Sequence, residues 1–579
     1  VDLNGDGLAD WVSVQGAAVT YAINRNGNEI LAPVTCSAAG ALAIPERTSA
    51  VTVRFADMNA SGSTDIVWID ASGQVTYLEL FPVRPNLLTQ IDNGIGKSIA
   101  LRYGTSTAHM LRDGGATGWH HRLPHPIVTL DSVVVRDALS GTEQRRDFHY
   151  SDGYYDGAEM QFRGFEQVAA VTPGDESVDT GTHQYGYDVG ARDPYHKGLL
   201  LSHVVKSSLS VLSETENSFD DCPLTDIPTT TPAIRFICNT ALRKIIKEGR
   251  PQAEWVTTQE SYGFDGYGNQ TSIARMGVTS IGGQGCAPCQ DPATYGAPCD
   301  AGCRGDESYR TTEFVAPNST GGRWMLRVPS RTRAYGVSDS AAYSEKIYHY
   351  DGQAFVGLPP GQVKSGLLSR VEAKVLASAS DTIDLERYSY NTDGTIVESW
   401  DPNGSRHSFE YDPTNLLIVA ENLHFDTAQP PYALRVQAEY DPNLDLIVRA
   451  SSWMRVVGEN VGSSPRATSY AYDAFGRLSA IARPGDPLTA PTELFAYELA
   501  SPVSRIVKLA RSAKDAEPDL QEIQCFDGLG RALQKRVQTG PDSYIVSDFK
   551  RYNVAGAVSR RYQARTRATR CASRRAWLP

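Results

Sequence analysis

Short apolar runs alternate with polar turns along most of the chain. Trp11–Val14, Ile66–Ile69 and Ile127–Val135 are rich in β-branched or aromatic residues and lack the spacing of an amphipathic helix. Gly, Asn and Asp, which favour turns, lie between such runs. The pattern therefore predicts a mainly β protein of short strands joined by tight turns. Two segments, 205–216 and 366–378, could each hold a short helix.

The first 85 residues contain a repeated pattern. Asp2–Val12 and Asp57–Val67 are offset by 55 residues, and in each an oxygen-rich loop leads into an apolar strand. After each comes a further strand beyond a Gly turn. A strand-rich unit repeating at this spacing is typical of propeller blades or a similar array.

The oxygen-rich loops have the best chemical case for a metal site. Oxygen ligands at alternate positions can wrap around a hard cation such as Ca²⁺, and we expect such an ion to be structural. The alternative is a solvated turn rich in Asp and Asn. The first loop would use Asp2, Asn4, Asp6, the Leu8 carbonyl and Asp10. The second would use Asp57, Asn59, Ser61 and Asp65, and should bind more weakly because Ser61 replaces a carboxylate.

Beyond residue 185 a second pattern recurs: an aromatic residue, then Asp or Asn, then in most copies Gly. The aromatic residue ends a strand and covers the neighbouring one, Asp or Asn caps the turn, and Gly adopts the positive φ. The pattern predicts serial hairpins in one long antiparallel sheet. Its copies start at Tyr187, Phe264, Tyr350, Tyr390, Tyr411, Tyr440, Tyr472, Phe526 and Tyr552.

Composition and charge exclude several classes of protein. The chain has 579 residues, 41% hydrophobic and 21% charged, and no apolar stretch long enough for a transmembrane helix. The net charge of −12 disfavours a general nucleic-acid binder. The chain begins at Val1, inside a predicted ligand loop, so we expect it to be a fragment of a longer protein.

Four cysteines are clustered in a Gly/Pro-rich segment, 280–308, predicted as an irregular insertion. Two disulfides are the favoured state in an exported protein, whereas zinc coordination and free thiols remain alternatives, with Zn²⁺ the least favoured. The cluster consists of Cys286, Cys289, Cys299 and Cys303.

No motif indicates catalysis. His120, His121 and His125 lie close in sequence but lack the helical His-Glu spacing of a metalloprotease, so unliganded histidines are the favoured interpretation. A nucleophile elbow, a phosphate-binding loop and a dinucleotide fingerprint are also missing. We therefore predict a protein that is not an enzyme.

Several longer motifs resemble the B component of the insecticidal toxin complexes (Tc toxins) and the middle region of SpvB-type virulence proteins. They are Asn86–Tyr103, Leu123–Asp137 and Tyr150–Phe165. Tyr472–Leu478 and Phe526–Arg531 are similar to the Tyr-Asp (YD) repeats of RHS proteins. The resemblance covers most of residues 1–560.

The resemblance implies a domain organisation. Residues 1–85 would form part of an integrin-like propeller with FG-GAP/VCBS-like blades, and 86–175 and 176–345 the two parts of the toxin middle region. Residues 346–560 would form an RHS-repeat β-shell, followed by an Arg-rich tail at 561–579.

The resemblance also implies a function. The shell, completed by a C component, would enclose a toxic polypeptide, and the propeller would act as a gate on a pore-forming A component. The protein would be secreted by a bacterium, with a cytoplasmic stage before export. The alternatives are an RHS-type surface protein for adhesion or contact-dependent competition, and an enzyme whose site the sequence does not reveal.

Overall fold

The computed structural model describes residues 1–37, 44–82, 84–176, 178–225, 234–285, 307–317, 324–336, 342–375, 381–458, 460–461, 466–513, 516–541 and 543–567. Strands dominate this part of the chain, so the predicted mainly β class is confirmed. Within it, no helix has the length and apolar character needed to cross a membrane. The chain divides into two units, residues 1–209 with 552–557, and residues 210–551 with 558–579.

The described residues of the first unit form fifteen strands and one α-helix. The helix, α1 (Ser106–Arg112), begins after Thr105, whose side chain accepts a hydrogen bond from the Ala108 amide. The strands are β1 (Trp11–Gln15), β2 (Ala18–Ala22), β3 (Asn24–Arg25), β4 (Glu29–Ile30), β5 (Val34–Ser37), β6 (Thr52–Ala56), β7 (Asp65–Ile69), β8 (Val75–Leu78), β9 (Gln90–Asp92), β10 (Lys97–Thr105), β11 (Val128–Asp137), β12 (Glu143–Asp156), β13 (Gln161–Thr172), β14 (Gly181–Asp188) and β15 (Leu199–Ser207).

Two small sheets correspond to the 55-residue repeat. Strands β1, β2 and β5 form one antiparallel sheet, and β6, β7 and β8 form the other. They share an apolar core that includes Val14, Val19, Ile44, Ile66 and Trp68. The repeat is therefore a structural unit, and its interpretation as a pair of propeller blades stays a prediction.

Strands β9 to β15 form a larger antiparallel sheet in sequence order. Helix α1 packs on β12, where the buried His109 ring lies edge-on to Tyr150 at 5.3 Å. The connection from α1 to β11 carries the three histidines at 120, 121 and 125.

The second unit is a longer series of strands. They are β16 (Val211–Asp221), β17 (Ile237–Ile246), β18 (Val256–Phe264), β19 (Gln270–Ile281), β20 (Gln284–Gly285), β21 (Ser308–Phe314), β22 (Pro329–Gly336), β23 (Ser344–Tyr350), β24 (Leu368–Lys374), β25 (Thr382–Tyr390), β26 (Ile396–Trp400), β27 (Arg406–Tyr411), β28 (Ile418–Phe425), β29 (Tyr432–Tyr440), β30 (Ile447–Ser451), β31 (Met454–Val457), β32 (Asn460–Val461), β33 (Ala467–Tyr472), β34 (Leu478–Ala482), β35 (Glu493–Glu498), β36 (Ser504–Ala510), β37 (Leu520–Phe526), β38 (Ala532–Gly540), β39 (Ser543–Ser547), β40 (Lys550–Tyr552), β41 (Val558–Arg561) and β42 (Arg565–Arg567).

Most of these strands pair antiparallel with their neighbours in sequence. Strand β29, in the middle of the series, differs because it pairs with two later strands. It pairs with β31 through Ala433–Arg435 and with β30 through Ala438–Tyr440. The series then continues from β30 to β33 and on to β39. The predicted long run of serial antiparallel hairpins is present within this unit.

A tyrosine hydroxyl links neighbouring strands at most repeats of the second unit. In each case the tyrosine lies at or near the end of its strand and donates to the carbonyl of the first residue of the preceding paired strand. The donor–acceptor distances are 2.7–3.0 Å. The pairs are Tyr350 to Pro329, Tyr390 to Leu368, Tyr411 to Ile396, Tyr440 to Ile418, Tyr472 to Ile447 and Tyr497 to Leu478.

The acidic or amide residue after the aromatic closes the turn. Asp473 Oδ1 accepts the amides of Phe475 and Arg477 at 2.9 and 3.0 Å, and Gly476 has φ of 72°. Where no glycine is present, Asn415 takes the left-handed conformation with φ of 57°. The turn chemistry expected from the sequence is therefore present at atomic detail.

The two predicted short helices are wrong. Residues 205–216 contain the end of β15 and the start of β16, and residues 366–378 contain β24. Strand pairing accounts for the difference, since Val371 pairs with both Tyr348 and Glu386. In the predicted tail, β41 ends at Arg561 and β42 covers Arg565–Arg567, and residues 568–579 lie outside the described residues.

The tyrosine bonds can be tested with Tyr390→Phe. Removal of the hydroxyl leaves the Leu368 carbonyl without this donor, which costs about 1 kcal/mol in the free energy of unfolding. Urea unfolding followed by tryptophan fluorescence measures the loss. Tyr388→Phe is the matched control, because its hydroxyl donates to the Glu386 side chain at an exposed position. Equal losses in both variants would show that the carbonyl bond contributes nothing specific.

The turn carboxylates predict an acid-dependent loss of stability. Hydrogen bonds from the Thr414 hydroxyl and from the amides of Leu417 and Leu416 lower the pKa of Asp412 to about 2. Because the folded value lies below the unfolded value of about 4, this stabilisation is present above pH 4 and lost as the pH falls towards 2.

Asp412→Asn should therefore flatten the pH dependence. Asn391 fills the same role at another turn, accepting the amides of Asp393 and Thr395, so the variant should fold. Urea midpoints of wild type and variant measured from pH 6 down to pH 3 should converge at the acid end. A difference between the two urea midpoints that stays constant from pH 6 to pH 3 would contradict the prediction.

Candidate functional site

The sheet of the second unit lacks a buried interior over most of its central strands. In β25, β26, β27, β29, β30 and β33 every residue is half-buried or exposed. A sheet packed in a globular core buries at least one face. Both faces of this part of the sheet therefore reach solvent, and either could meet a partner.

One face of this sheet is strongly polar. The register places residues of neighbouring strands opposite each other, and alternate residues share a face. One row across five strands consists of Arg370, Arg387, Trp400, Arg406 and His424. The next row on the same face consists of Ser389, Glu398, Ser408, Asn422 and Arg435. We call these ten residues the polar face.

Cross-strand bonds connect the polar face. Arg406 pairs with Glu398 at 3.0 Å and with Asp426 at 3.1 Å. Arg435 pairs with Glu410, and its guanidinium also donates to Asn422 Oδ1 at 3.1 Å.

These contacts set the charge state of the face. The bond from Arg435 lowers the pKa of Glu410, so this carboxylate stays charged in mildly acidic solution. Nearby, Ser408 Oγ lies 2.9 Å from His424 Nε2. The face thus carries charged and hydrogen-bonding side chains, several of them linked across strands, that can hydrate or bind a polypeptide.

The first oxygen-rich loop is closed by its own hydrogen bonds. Asp2 accepts the amides of Gly5 and Gly7 at 2.7 and 2.9 Å. Asp10 is buried and accepts the Leu3 amide at 2.8 Å and the Asn24 amide at 2.9 Å.

The remaining side chains of this loop bond to one another. Asn4 donates to Asp6 Oδ2 at 3.0 Å, and Asp6 Oδ1 accepts the Leu8 amide at 2.8 Å. These bonds are those expected for the alternative, a turn rich in Asp and Asn.

The second loop repeats this arrangement with one difference. Asp57 accepts the amides of Ser61 and Gly62 at 2.9 Å, and Asn59 Oδ1 accepts the Ser61 amide at 3.1 Å. Asp65 Oδ2 accepts the Met58 amide at 2.8 Å, as Asp10 does from Leu3. However, Asp65 Oδ1 is buried and has no hydrogen-bond partner among the described residues.

Burial, with smaller contributions from the Glu79 and Asp57 carboxylates, raises the pKa of Asp65. An unpartnered buried carboxylate oxygen is the kind of group that a cation stabilises. The loop predicted to bind calcium more weakly is therefore the one with an unsatisfied ligand atom. Calcium at both loops remains a proposal.

The remaining predicted site residues are the four clustered cysteines. Cys286, Cys289, Cys299 and Cys303 lie outside the described residues. The structure instead pairs Cys222 with Cys238 in a disulfide, with Cα atoms 5.5 Å apart. This pair joins the end of β16 to the start of β17, and the sequence offered no spacing motif for it.

Calcium binding can be tested with the carboxylate of the second loop. If an ion binds there, millimolar Ca²⁺ should raise the thermal midpoint, because a ligand that binds only the folded state stabilises it. Asp65→Asn should reduce this shift. Asp70→Asn is the matched control, since Asp70 caps the following turn through Ser72 outside both loops. No calcium-induced shift in the wild type would favour simple hydrogen-bonded turns.

Residues 25–190 match the family model described as the insecticide toxin TcdB middle/N-terminal region. No match was found among curated proteins. The chain shares the fold of the crystal structure of TcdB2-TccC3, with a TM-score of 0.74 and 16% identity, covering 98% of this chain and 35% of that one.

Two further structures are similar. The TcdB2-TccC3-Cdc42 crystal structure gives a TM-score of 0.76 at 15% identity, covering 98% of this chain and 37% of that one. The Photorhabdus luminescens Tc holotoxin pore gives the same four values. The chain spans little more than a third of the length of these relatives. The resemblance to the Tc toxin B component, inferred from the sequence motifs, is confirmed.

Proposed function

Because the chain carries a TcdB middle region and shares the fold of TcdB2-TccC3, we propose that it is a non-enzymatic structural part of a secreted bacterial toxin complex. In this proposal the sheet of the second unit contributes to a hollow β-shell that encloses a toxic polypeptide. Residues 1–85 contribute to a propeller that gates its release.

The observation that carries the proposal is the sheet with two solvent-accessible faces. A shell wall needs one face towards its contents and one towards the outside, and six strands of the second unit bury no residue on either face. A compact core through residues 346–560 would have counted against a shell. Strands β24 to β29 are linked laterally by tyrosine hydroxyls and ion pairs, whereas buried residues cluster further along the sheet at Val507, Ile523 and Tyr544.

The partners are inferred from the related structures. TcdB2 is crystallised with TccC3, and TccC3 is also part of the Photorhabdus luminescens Tc holotoxin pore. We propose a C component with a toxic C-terminal region and a pore-forming A component as the partners of this protein. The disulfide Cys222–Cys238 supports export, since disulfides persist in oxidising compartments.

The proposal is tested by measuring whether the complex protects an enclosed reporter from a protease. The full chain is co-expressed with a TccC3-type C component that carries a C-terminal reporter, and the purified complex is treated with proteinase K. We expect the reporter to be cleaved at least about tenfold more slowly than in the C component alone, because a wall excludes the protease. The same C component co-expressed with an unrelated β-sheet protein is the control.

Two results would contradict the proposal. One is a C component that does not co-purify with the chain, and the other is a reporter cleaved at the same rate in both samples. Binding of the chain alone to cells or glycans, without a C component, would favour the adhesion alternative.

A further inference from the structure

The segment with His120 is fixed against β12 and β13 in the first unit. On one side the buried Trp119 packs edge-on against Phe165 at 6.1 Å and donates to Asp113 Oδ2 at 3.0 Å. On the other side the His121 ring packs on Tyr154 at 4.9 Å. The contacts of Trp119 and His121 therefore fix the backbone of His120 on both sides.

Two carboxylates oppose each other beside this segment. The register pairs Ser151 with Gln167 and Gly153 with Phe165, which places Asp152 opposite Glu166. Like charges directly opposite in a sheet are destabilising. Asp152 is also 5% exposed and holds a φ of 55° inside its strand. A cation between the two carboxylates would remove this repulsion.

His120 completes the group. Its amide donates to Asp152 Oδ1 at 2.5 Å, and its ring Nδ1 lies 3.6 Å from Asp152 Oδ2 and 3.9 Å from Glu166 Oε2. The three ligand atoms all lie within 4.8 Å of one another. Ligand atoms around an ion with bonds of about 2.1 Å lie roughly 3.0–3.5 Å apart, so small side-chain rotations close the site.

The geometry points to a divalent transition-metal site of the Zn²⁺ class with His120 Nδ1, Asp152 Oδ2 and Glu166 Oε2 as ligands. An imidazole nitrogen with two carboxylates suits zinc-like ions better than calcium, which prefers oxygen ligands only. The His120 side chain is 81% exposed, so an ion can enter and a water can take the remaining position.

His121 acts as a positioning residue. Its Nε2 lies 2.9 Å from Glu166 Oε1, the carboxylate oxygen that does not face His120. This bond orients Glu166 towards the site, in the way that partners beyond the ligands commonly orient a metal-binding carboxylate. The site is separate from both oxygen-rich loops and does not depend on the proposed shell.

Cobalt titration of the full chain tests the inference. Free thiols are first alkylated without reductant, so that cysteines cannot bind, and Co²⁺ is added while visible absorption is recorded. We expect one equivalent with a four- or five-coordinate spectrum. Asp152→Asn and His120→Ala should each weaken binding by about tenfold or more. His125→Ala is the matched control, since its ring contacts Tyr155 and the Pro126 carbonyl instead.

The role of His121 is tested separately, by the effect of two substitutions on Co²⁺ binding. His121→Ala should weaken Co²⁺ binding about tenfold, and His121→Gln, which keeps a donor for Glu166, should restore most of it. Binding that is absent in the wild type, or that survives unchanged in both His120→Ala and Asp152→Asn, would overturn the inference. Circular dichroism of each variant verifies that the fold is intact.

Discussion

The hydrogen bond from a strand-ending tyrosine to the neighbouring strand is the interaction on which the central strands of the second unit depend. A sheet with solvent on both faces gains little from apolar burial, so its strands need lateral bonds that survive in water. Each tyrosine bond contributes about 0.5–1.5 kcal/mol. At Tyr390, Tyr411 and Tyr440 the bonds recur on alternate strands, and they hold each strand end against the start of its neighbour.

The position of the tyrosine in its strand is also part of this device. Partial burial raises the pKa of Tyr390 and Tyr411. The register shifts by one residue next to each of these tyrosines. The resulting bulge increases local twist, as bulges do. One motif therefore closes the turn, fixes the end of the strand and increases the local twist of the sheet.

The local parts of this arrangement could be predicted from the sequence. Turn chemistry depends on residues within five positions, so the aromatic-Asp-Gly pattern correctly indicated the hairpin at Tyr472–Leu478. Helix α1 was missed because seven residues capped by Thr105 give too short a periodic pattern. Residues 205–216 and 366–378 were assigned to helices because period alone does not separate short apolar strands from short helices.

The non-local parts could not be predicted. The pairing of Cys222 with Cys238 and the opposition of Asp152 to Glu166 both depend on strand register, which no local pattern determines. The oxygen-rich loops lie between these cases. Their oxygen spacing was visible in the sequence, whereas the hydrogen bonds that already satisfy Asp2 and Asp10 were not.

A sheet held by hydrogen bonds and ion pairs has a different response to acid from one held by a core. Turn carboxylates such as Asp401, whose pKa is lowered chiefly by the Ser405 amide, and carboxylates bonded to the polar face, such as Glu410, stabilise the fold only while charged. Burial, followed by the nearby Arg406 charge, lowers the pKa of His424, so acid would add an unfavourable positive charge there. The tyrosine hydroxyls do not titrate in this range. Acid therefore weakens the turns and the polar face together while leaving the tyrosine bonds in place.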